Sequence, residues 1–306
     1  MAILYRINAM SRLYEEMFLR NDIPYRIVRG TAFYERREVK DAVSFMRLAV
    51  NPLDEAALDR IGNIPSRGLG KKSIDKLKEY IRASGEQGPG IWAKLSEDGA
   101  GLPGKAGKGA IELGVHMGEI IKRSGEIPSV VEYILEGTGY ERELIRMDPE
   151  GWRERVDNVR ELLSVTSSTE GLETMLAEVA LVTDMDLVDE ETESVNLMSL
   201  HAAKGLEFSA VFIVGLEEAI FPHYRCMDDP DSLEEERRLC YVGMTRAEER
   251  LYLSGARSRV LFGTVQRNGF SRFLWEIPDE FKETEDMGGE EASYAGGRPY
   301  RRRWGW

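Results

Sequence analysis

Val195-Asn196-Leu197-Met198-Ser199-Leu200-His201-Ala202-Ala203-Lys204-Gly205-Leu206-Glu207-Phe208 leads into Val211-Phe212-Ile213-Val214-Gly215-Leu216. Val195–Leu200 and Ala210–Gly215 are rich in β-branched or apolar residues and bounded by polar or glycine positions, which predicts two strands. Between them, polar residues gather at the C-terminal end of a buried strand, where open α/β sheets hold ligands. After about 20 residues comes Glu234-Glu235-Glu236-Arg237-Arg238-Leu239-Cys240-Tyr241-Val242-Gly243-Met244-Thr245-Arg246-Ala247-Glu248. It predicts a helix from Leu233 to about Glu249 that offers the Arg246 guanidinium near the same edge, followed by a strand at Leu251–Ser254. Arginine can meet a phosphate with two parallel hydrogen bonds. On composition alone, Lys204, Glu207 and Arg246 could equally be surface ion pairs of little energetic weight.

The same grammar opens the chain. Ile3-Leu4-Tyr5 reads as a strand and Asn8 as a helix N-cap, and Met10, Leu13, Tyr14, Met17 and Phe18 supply one apolar helical face. Pro24 breaks that helix, and Tyr25–Val28 reads as a second strand ended by Gly30. From about residue 30 to 190 the periods are helical: Val39, Ala42, Val43 and Met46; Leu58 and Ile61; Ile74, Leu77 and Ile81; then Ala110–Arg123, Val130–Leu135, Trp152–Val165 and Leu172–Val182. Glycine and proline cluster from Gly85 to Gly109, which predicts a loop. The expected architecture is an α/β domain split by an all-α insertion, with hinges near Gly30 and near Glu190–Asn196 and a disordered tail over 281–306.

The 306 residues carry a net charge of −13, which argues against bulk coating of nucleic acid. The charge is uneven. Residues 1–82 hold 16 Lys/Arg against 11 Asp/Glu, and no Lys or Arg lies between Glu161 and Ala203. Any nucleic-acid contact is therefore expected to be local and N-terminal. Two cysteines, Cys226 and Cys240, cannot build a disulfide framework, so a reducing, cytoplasmic setting fits. His223 and Cys226 have ligand-like spacing without a second pair, so no metal site is expected. Cys240 reads as a buried helix residue.

Two glycine motifs need separating. Gly99, Gly104, Lys105 and Ala106 imitate a phosphate-binding loop, but no strand precedes them and Ala106 replaces the magnesium-binding hydroxyl. Arg67-Gly68-Leu69-Gly70-Lys71-Lys72-Ser73 lies between two helical patterns. Its glycines permit a tight turn, and the following helix start with two lysines suits a phosphate backbone. It resembles a helix-hairpin-helix element, although a plain glycine turn between packed helices reads as well.

The strings at 195–208 and 234–248 closely resemble motifs V and VI of superfamily 1 DNA helicases of the UvrD/PcrA/Rep type. Ile3–Arg12 resembles the strand-to-helix passage late in that family's second RecA-like domain. Gly30–Asp41, with Phe33-Tyr34-Glu35-Arg36-Arg37-Glu38, resembles the entry into its helical insertion. The resemblance covers most of residues 1–275. It implies an incomplete α/β RecA-like, P-loop NTPase-type domain over 1–29 and 191–280, interrupted by an all-α DNA-binding domain over 30–190 with a helix-hairpin-helix-like element.

The function implied is the C-terminal part of an ATP-dependent 3′→5′ DNA helicase acting in repair or replication. Arg246 would be the arginine finger, and Gly205 and Glu207 would meet the nucleotide. Ser199 and His201 would touch single-stranded DNA, while Arg67, Gly68, Leu69, Gly70, Lys71, Lys72 and Ser73 would hold duplex at a junction. Tyr34, Arg36 and Arg37 stay open between duplex contact and a solvated helix start. ATP and Mg²⁺ would be held mostly by the family's first RecA-like domain, whose Walker motifs this sequence does not contain, so the chain is not expected to hydrolyse ATP alone. Arg6 imitates a phosphate-contacting arginine, but its surroundings match the later strand and the role is not carried onto it. A stand-alone DNA- or partner-binding module is the alternative. The tail after Phe281 is too short for the nuclease domain of the recombination-type relatives.

Overall fold

The computed structural model describes residues 1–85, 88–165, 171–183 and 193–286. Of the tail expected over 281–306, residues 287–306 lie outside them, as do residues 190–192 of the second hinge.

The chain opens with strand β1 (Ala2–Tyr5), a short 3-10 turn at Asn8–Met10, helix α1 (Ser11–Arg20) and strand β2 (Tyr25–Ile27). Among the described residues nine α-helices follow: α2 (Arg37–Val50), α3 (Glu55–Ile61), α4 (Lys71–Ala83), α5 (Gly90–Asp98), α6 (Gly104–Lys122), α7 (Ile127–Glu132), α8 (Tyr140–Met147), α9 (Trp152–Val165) and α10 (Leu172–Thr183). Strands β3 (Val195–Ser199) and β4 (Phe208–Val214), helix α11 (Pro230–Met244) and strand β5 (Ala247–Ser254) come next. A hairpin of β6 (Arg259–Leu261) and β7 (Thr264–Gln266) and the short α12 (Arg272–Trp275) complete the described chain.

β1–β5 form one parallel sheet in the order β2-β3-β1-β4-β5. A parallel sheet needs both faces covered. One face packs Leu4, Val211 and Ile213 with Cys240 and Leu239 of α11, and the other packs Tyr5, Leu197 and Val214 with Met10 of the 3-10 turn and Tyr14 and Phe18 of α1. This layered parallel sheet is consistent with a RecA-like α/β domain. The helices between β2 and β3 bury a separate cluster built around Phe45, Leu58, Trp92, Leu113, Tyr140 and Leu162.

Several expectations change. α1 buries only part of the face its apolar spacing marks: Met10, Tyr14 and Phe18 pack into the core, but Leu13 and Met17 are 39% and 48% exposed, while Ser11, Arg12 and Glu15 are buried. The polar face is covered because α9 and the segment at Phe33 lie against it. Arg12 Nε donates to Glu161 at 3.0 Å, and the Phe33 N–H donates to Glu15 at 2.9 Å. Asn8 supplies no side-chain cap.

The glycine-rich stretch from Gly85 to Gly109 is not one loop, since α5 and the start of α6 lie in it. Glycine here serves contact rather than freedom. A Cβ on Gly107 would stand 2.2 Å from the Leu102 carbonyl oxygen, and one on Gly109 would stand 2.3 Å from that of Arg67. α8, which the sequence pattern did not mark, is present, and α11 ends at Met244 because Ala247 already pairs in the sheet.

α9 joins the helical unit to the sheet unit through polar side chains. Glu154 takes the amide of Asn8 and Asp157 pairs with Arg225 at 3.0 Å, while within the helical unit Asn158 accepts from Arg36 at 2.9 Å. Glu161 also accepts the Phe262 N–H at 2.9 Å, and Ser164 that of Gly263 at 3.0 Å. Tyr34 and Arg36 are therefore inward residues: Tyr34 donates to Glu16 at 2.8 Å, and Arg36 also binds the Asn8 carbonyl and Ser11. Arg37 stays exposed beside Asp41.

Candidate nucleotide and nucleic-acid sites

Strand register fixes where the motif residues go. Ser199 is level with Tyr5 at the C-terminal end of β1, and Val211 is level with Ala2 at its beginning. Phe208, paired with Ala247, lies further down still. At about 3.3 Å per residue, Ser199 and Phe208 are roughly 20 Å apart along the strands. The expectation of one polar edge is thus corrected. Ser199 and His201 lie at the C-terminal edge, whereas Gly205, Glu207 and Arg246 lie at the N-terminal edge. Residues 200–207 run from one edge to the other, because consecutive parallel strands require the chain to return to the sheet's starting end.

At the N-terminal edge, Arg246 follows directly on α11 and precedes β5. Its Nε donates to the Val242 carbonyl at 3.0 Å, Nη1 to the Leu206 carbonyl at 3.1 Å and Nη2 to Thr245 Oγ1 at 3.0 Å. The Phe208 N–H donates to the Arg246 carbonyl at 2.9 Å. The guanidinium thereby sits against the peptide that joins Gly205 to Glu207. Gly205 has φ +83° with open space where a side chain would be, so backbone conformation requires the glycine there. Glu207 is exposed. Among the described residues no group of three or more His, Cys, Asp or Glu is arranged to hold a metal ion.

At the C-terminal edge, Ser199 Oγ accepts the Ala202 N–H at 3.3 Å, and the Leu200 N–H donates to the Tyr5 carbonyl at 2.9 Å. His201 is exposed, and partial burial together with the Arg6 guanidinium holds its pKa below the usual histidine value. Arg6 gives Nε and Nη2 to Glu236 at 2.9 and 2.8 Å, and Glu236 also accepts the His223 N–H at 3.0 Å. Burial and Arg6 push the His223 pKa down to about 4. Burial pushes the Cys240 thiol up to about 12, so it is an inert helix residue.

The glycine hairpin lies between α3 and α4. Arg67 and Leu69 are buried at 3% and 1% exposure, with the Arg67 guanidinium donating to the Ile61 and Ile64 carbonyls and lying above Phe45. Only their backbone can meet a ligand. Gly70, Lys71 and Lys72 are exposed, and Gly70 caps α4 without a side chain over its first amides. Gly68 has φ +80°, and the stem of Lys105 lies where its Cβ would be. Lys105, which the sequence offers only within an imitation phosphate loop, thus joins this surface, and Arg29, which no local pattern marks, joins the 200–207 passage by donating to the Ala202 and Lys204 carbonyls.

A family model described as the UvrD-like helicase C-terminal domain matches residues 1–86 and 114–258. The chain is 39% identical over 316 aligned residues to the ATP-dependent DNA helicase PcrA of Staphylococcus aureus (strain Mu50), covering 99% of the chain and 43% of the relative. Against the PcrA helicase of Staphylococcus epidermidis (strain ATCC 12228), identity is 41% over 293 residues, covering 92% and 40%. The chain therefore spans less than half the length of these curated relatives. The parallel sheet, the motif strings at its two edges and a match over most of the residues agree: the chain belongs to the UvrD-like helicase C-terminal domain family.

Proposed function

We propose that this chain supplies half of an ATP site and a duplex-gripping unit to a 3′→5′ DNA helicase acting in repair or replication. The observation that carries the reading is the contact of Arg246 with the Leu206 carbonyl at 3.1 Å, beside Gly205 and Glu207. In this reading Arg246 acts as the arginine finger toward the γ-phosphoryl group of ATP held in a facing RecA-like domain. Its present bonds are to carbonyls and a hydroxyl, so the guanidinium keeps its charge available. Glu207 accepts a ribose hydroxyl, and Gly205 lets the backbone approach. In this reading Mg²⁺ lies with the phosphates, held mostly by the facing domain.

Ser199 and His201 face the single strand at the opposite edge, and residues 200–207 carry strain between the two. Residues 30–190 form the inserted DNA-binding domain, within the split RecA-like domain of 1–29 and 191–280. Its helix-hairpin-helix-like element presents the backbone of Arg67–Gly70 with Lys71, Lys72 and Ser73 to duplex phosphates at a junction. Lys105, packed beside Gly68, adds a cation to that surface.

The test is Arg246→Ala in the protein that joins this chain to a domain with a phosphate-cradling lysine. ATP hydrolysis should fall by on the order of 10³-fold or more, with DNA binding retained. Near-normal turnover would overturn the assignment.

A further inference from the structure

Arg29 holds φ +53°, a conformation for which glycine is the usual residue. It is the first residue past the sheet. Val28 still donates its N–H to the Leu197 carbonyl at 2.9 Å, and Phe33, anchored on Glu15, begins the helical unit. From this joint the Arg29 side chain reaches across to the 200–207 passage. Its Nη1 donates to the Ala202 carbonyl at 3.1 Å and to the Lys204 carbonyl at 3.2 Å. Those carbonyls flank the turn between His201 and Gly205. A non-glycine residue held in a disfavoured conformation is a pointer to function when its side chain has a specific engagement.

We propose that Arg29 is a positioning residue, a strut that ties the joint between the sheet and helical units to the passage connecting the two sheet edges. The strut stands on its own geometry. Its consequence for coupling rests on the reading of those edges as DNA- and nucleotide-facing. An exposed guanidinium adds little stability, but a planar donor shared by two nearby carbonyls fixes the geometry of the turn they belong to. Reorientation of the helical unit at Arg29–Gly30 changes φ and ψ at the root of that side chain. The guanidinium then leaves the passage, and Gly205 and Glu207 lose their support. Movement of the helical unit on DNA is thereby transmitted to the nucleotide edge.

Hydrogen exchange tests the strut directly. The amides of Ala202, Ala203 and Leu206 close the turns of the passage by donating to the Ser199, Leu200 and Ala203 carbonyls. Arg29→Gly relieves the backbone and removes the guanidinium, and Arg29→Ala removes the guanidinium alone. Both should speed exchange at these amides about fivefold or more relative to amides of β1 and β4. Unchanged exchange in Arg29→Gly, or acceleration in Arg29→Ala only, overturns the proposal.

In the protein with a complete nucleotide site, Arg29→Gly should lower the ratio of DNA-stimulated to unstimulated hydrolysis. An unchanged ratio overturns the coupling role. Failure of the unsubstituted protein to bind DNA or hydrolyse ATP would overturn the proposed function instead, leaving the exchange result intact.

Discussion

The sheet unit and the helical unit present their candidate ligand residues in opposite ways. At the sheet edges, Ser199, His201, Gly205, Glu207 and Arg246 stand just beyond buried strands or at the end of a packed helix. The anchoring is done by neighbours such as Leu197, Ile213 and Gly243, and the motif side chains remain outward. In the glycine hairpin, the same short string does both jobs. Arg67 and Leu69 are built into the helical core, while Gly70, Lys71 and Lys72 face out. A strand can end and release the chain, whereas a two-residue turn between packed helices must use some of its own side chains as anchors.

Between the two lies α9, whose contacts with the sheet unit are mainly charged or polar. The sharpest way to break the comparison is to separate the units there. Glu161→Ala leaves buried Arg12 without one of its two carboxylates and the Phe262 N–H without its acceptor. Loss of such a buried partner costs about 3–5 kcal/mol. Denaturant unfolding should show it, with the sheet and helical units melting apart; a loss indistinguishable from zero would mean that α9 does not hold them together.

A smaller effect bears on the hairpin alone. Lys71→Glu with Lys72→Glu should weaken duplex binding roughly tenfold and flatten its logarithmic salt dependence by about 2, as expected for two phosphate contacts. Fluorescence anisotropy with a 3′-tailed duplex at several salt concentrations measures this, and folding should be unaffected because both side chains are exposed. Equal affinity for the substituted and unsubstituted chains would remove the hairpin from the DNA interface.

The smallest effect belongs to the sheet unit. His223 is held neutral, its pKa lowered from 6.5 to about 4 by burial and Arg6. An unfolded histidine takes up a proton below about 6.5, and the folded one resists until about 4. The contribution of His223 to stability is therefore complete above that upper value and lost as pH falls between the two. The midpoint of thermal unfolding of His223→Gln should depend less on pH across this window than that of the unsubstituted chain. Identical dependence would show that His223 is not held neutral.

Local pattern determined much of this. Short apolar runs at 195–200 and 210–215 and helical spacing over Trp152–Val165 and Leu172–Val182 each require one backbone period to bury their apolar side chains. The motif strings at 195–208 and 234–248 are contiguous because a strand end or helix end delivers neighbouring residues to one place. Family membership was therefore legible without coordinates.

Tertiary structure decided what depends on distant neighbours. Gly107 and Gly109 read as loop residues until the Leu102 and Arg67 carbonyls are seen to occupy the space their side chains would take. Arg12 and Glu15 read as solvent-facing until α9 and the Phe33 segment cover them. The polar residues of 199–207 read as one edge until the register of β1 against β3 and β4 separates them. Arg29 carries no local signal, because its partners lie more than 170 positions away along the chain. Sequence fixes periodicity and local turns, which are short-range properties; burial, register and hydrogen-bond partners belong to residues that only folding brings together.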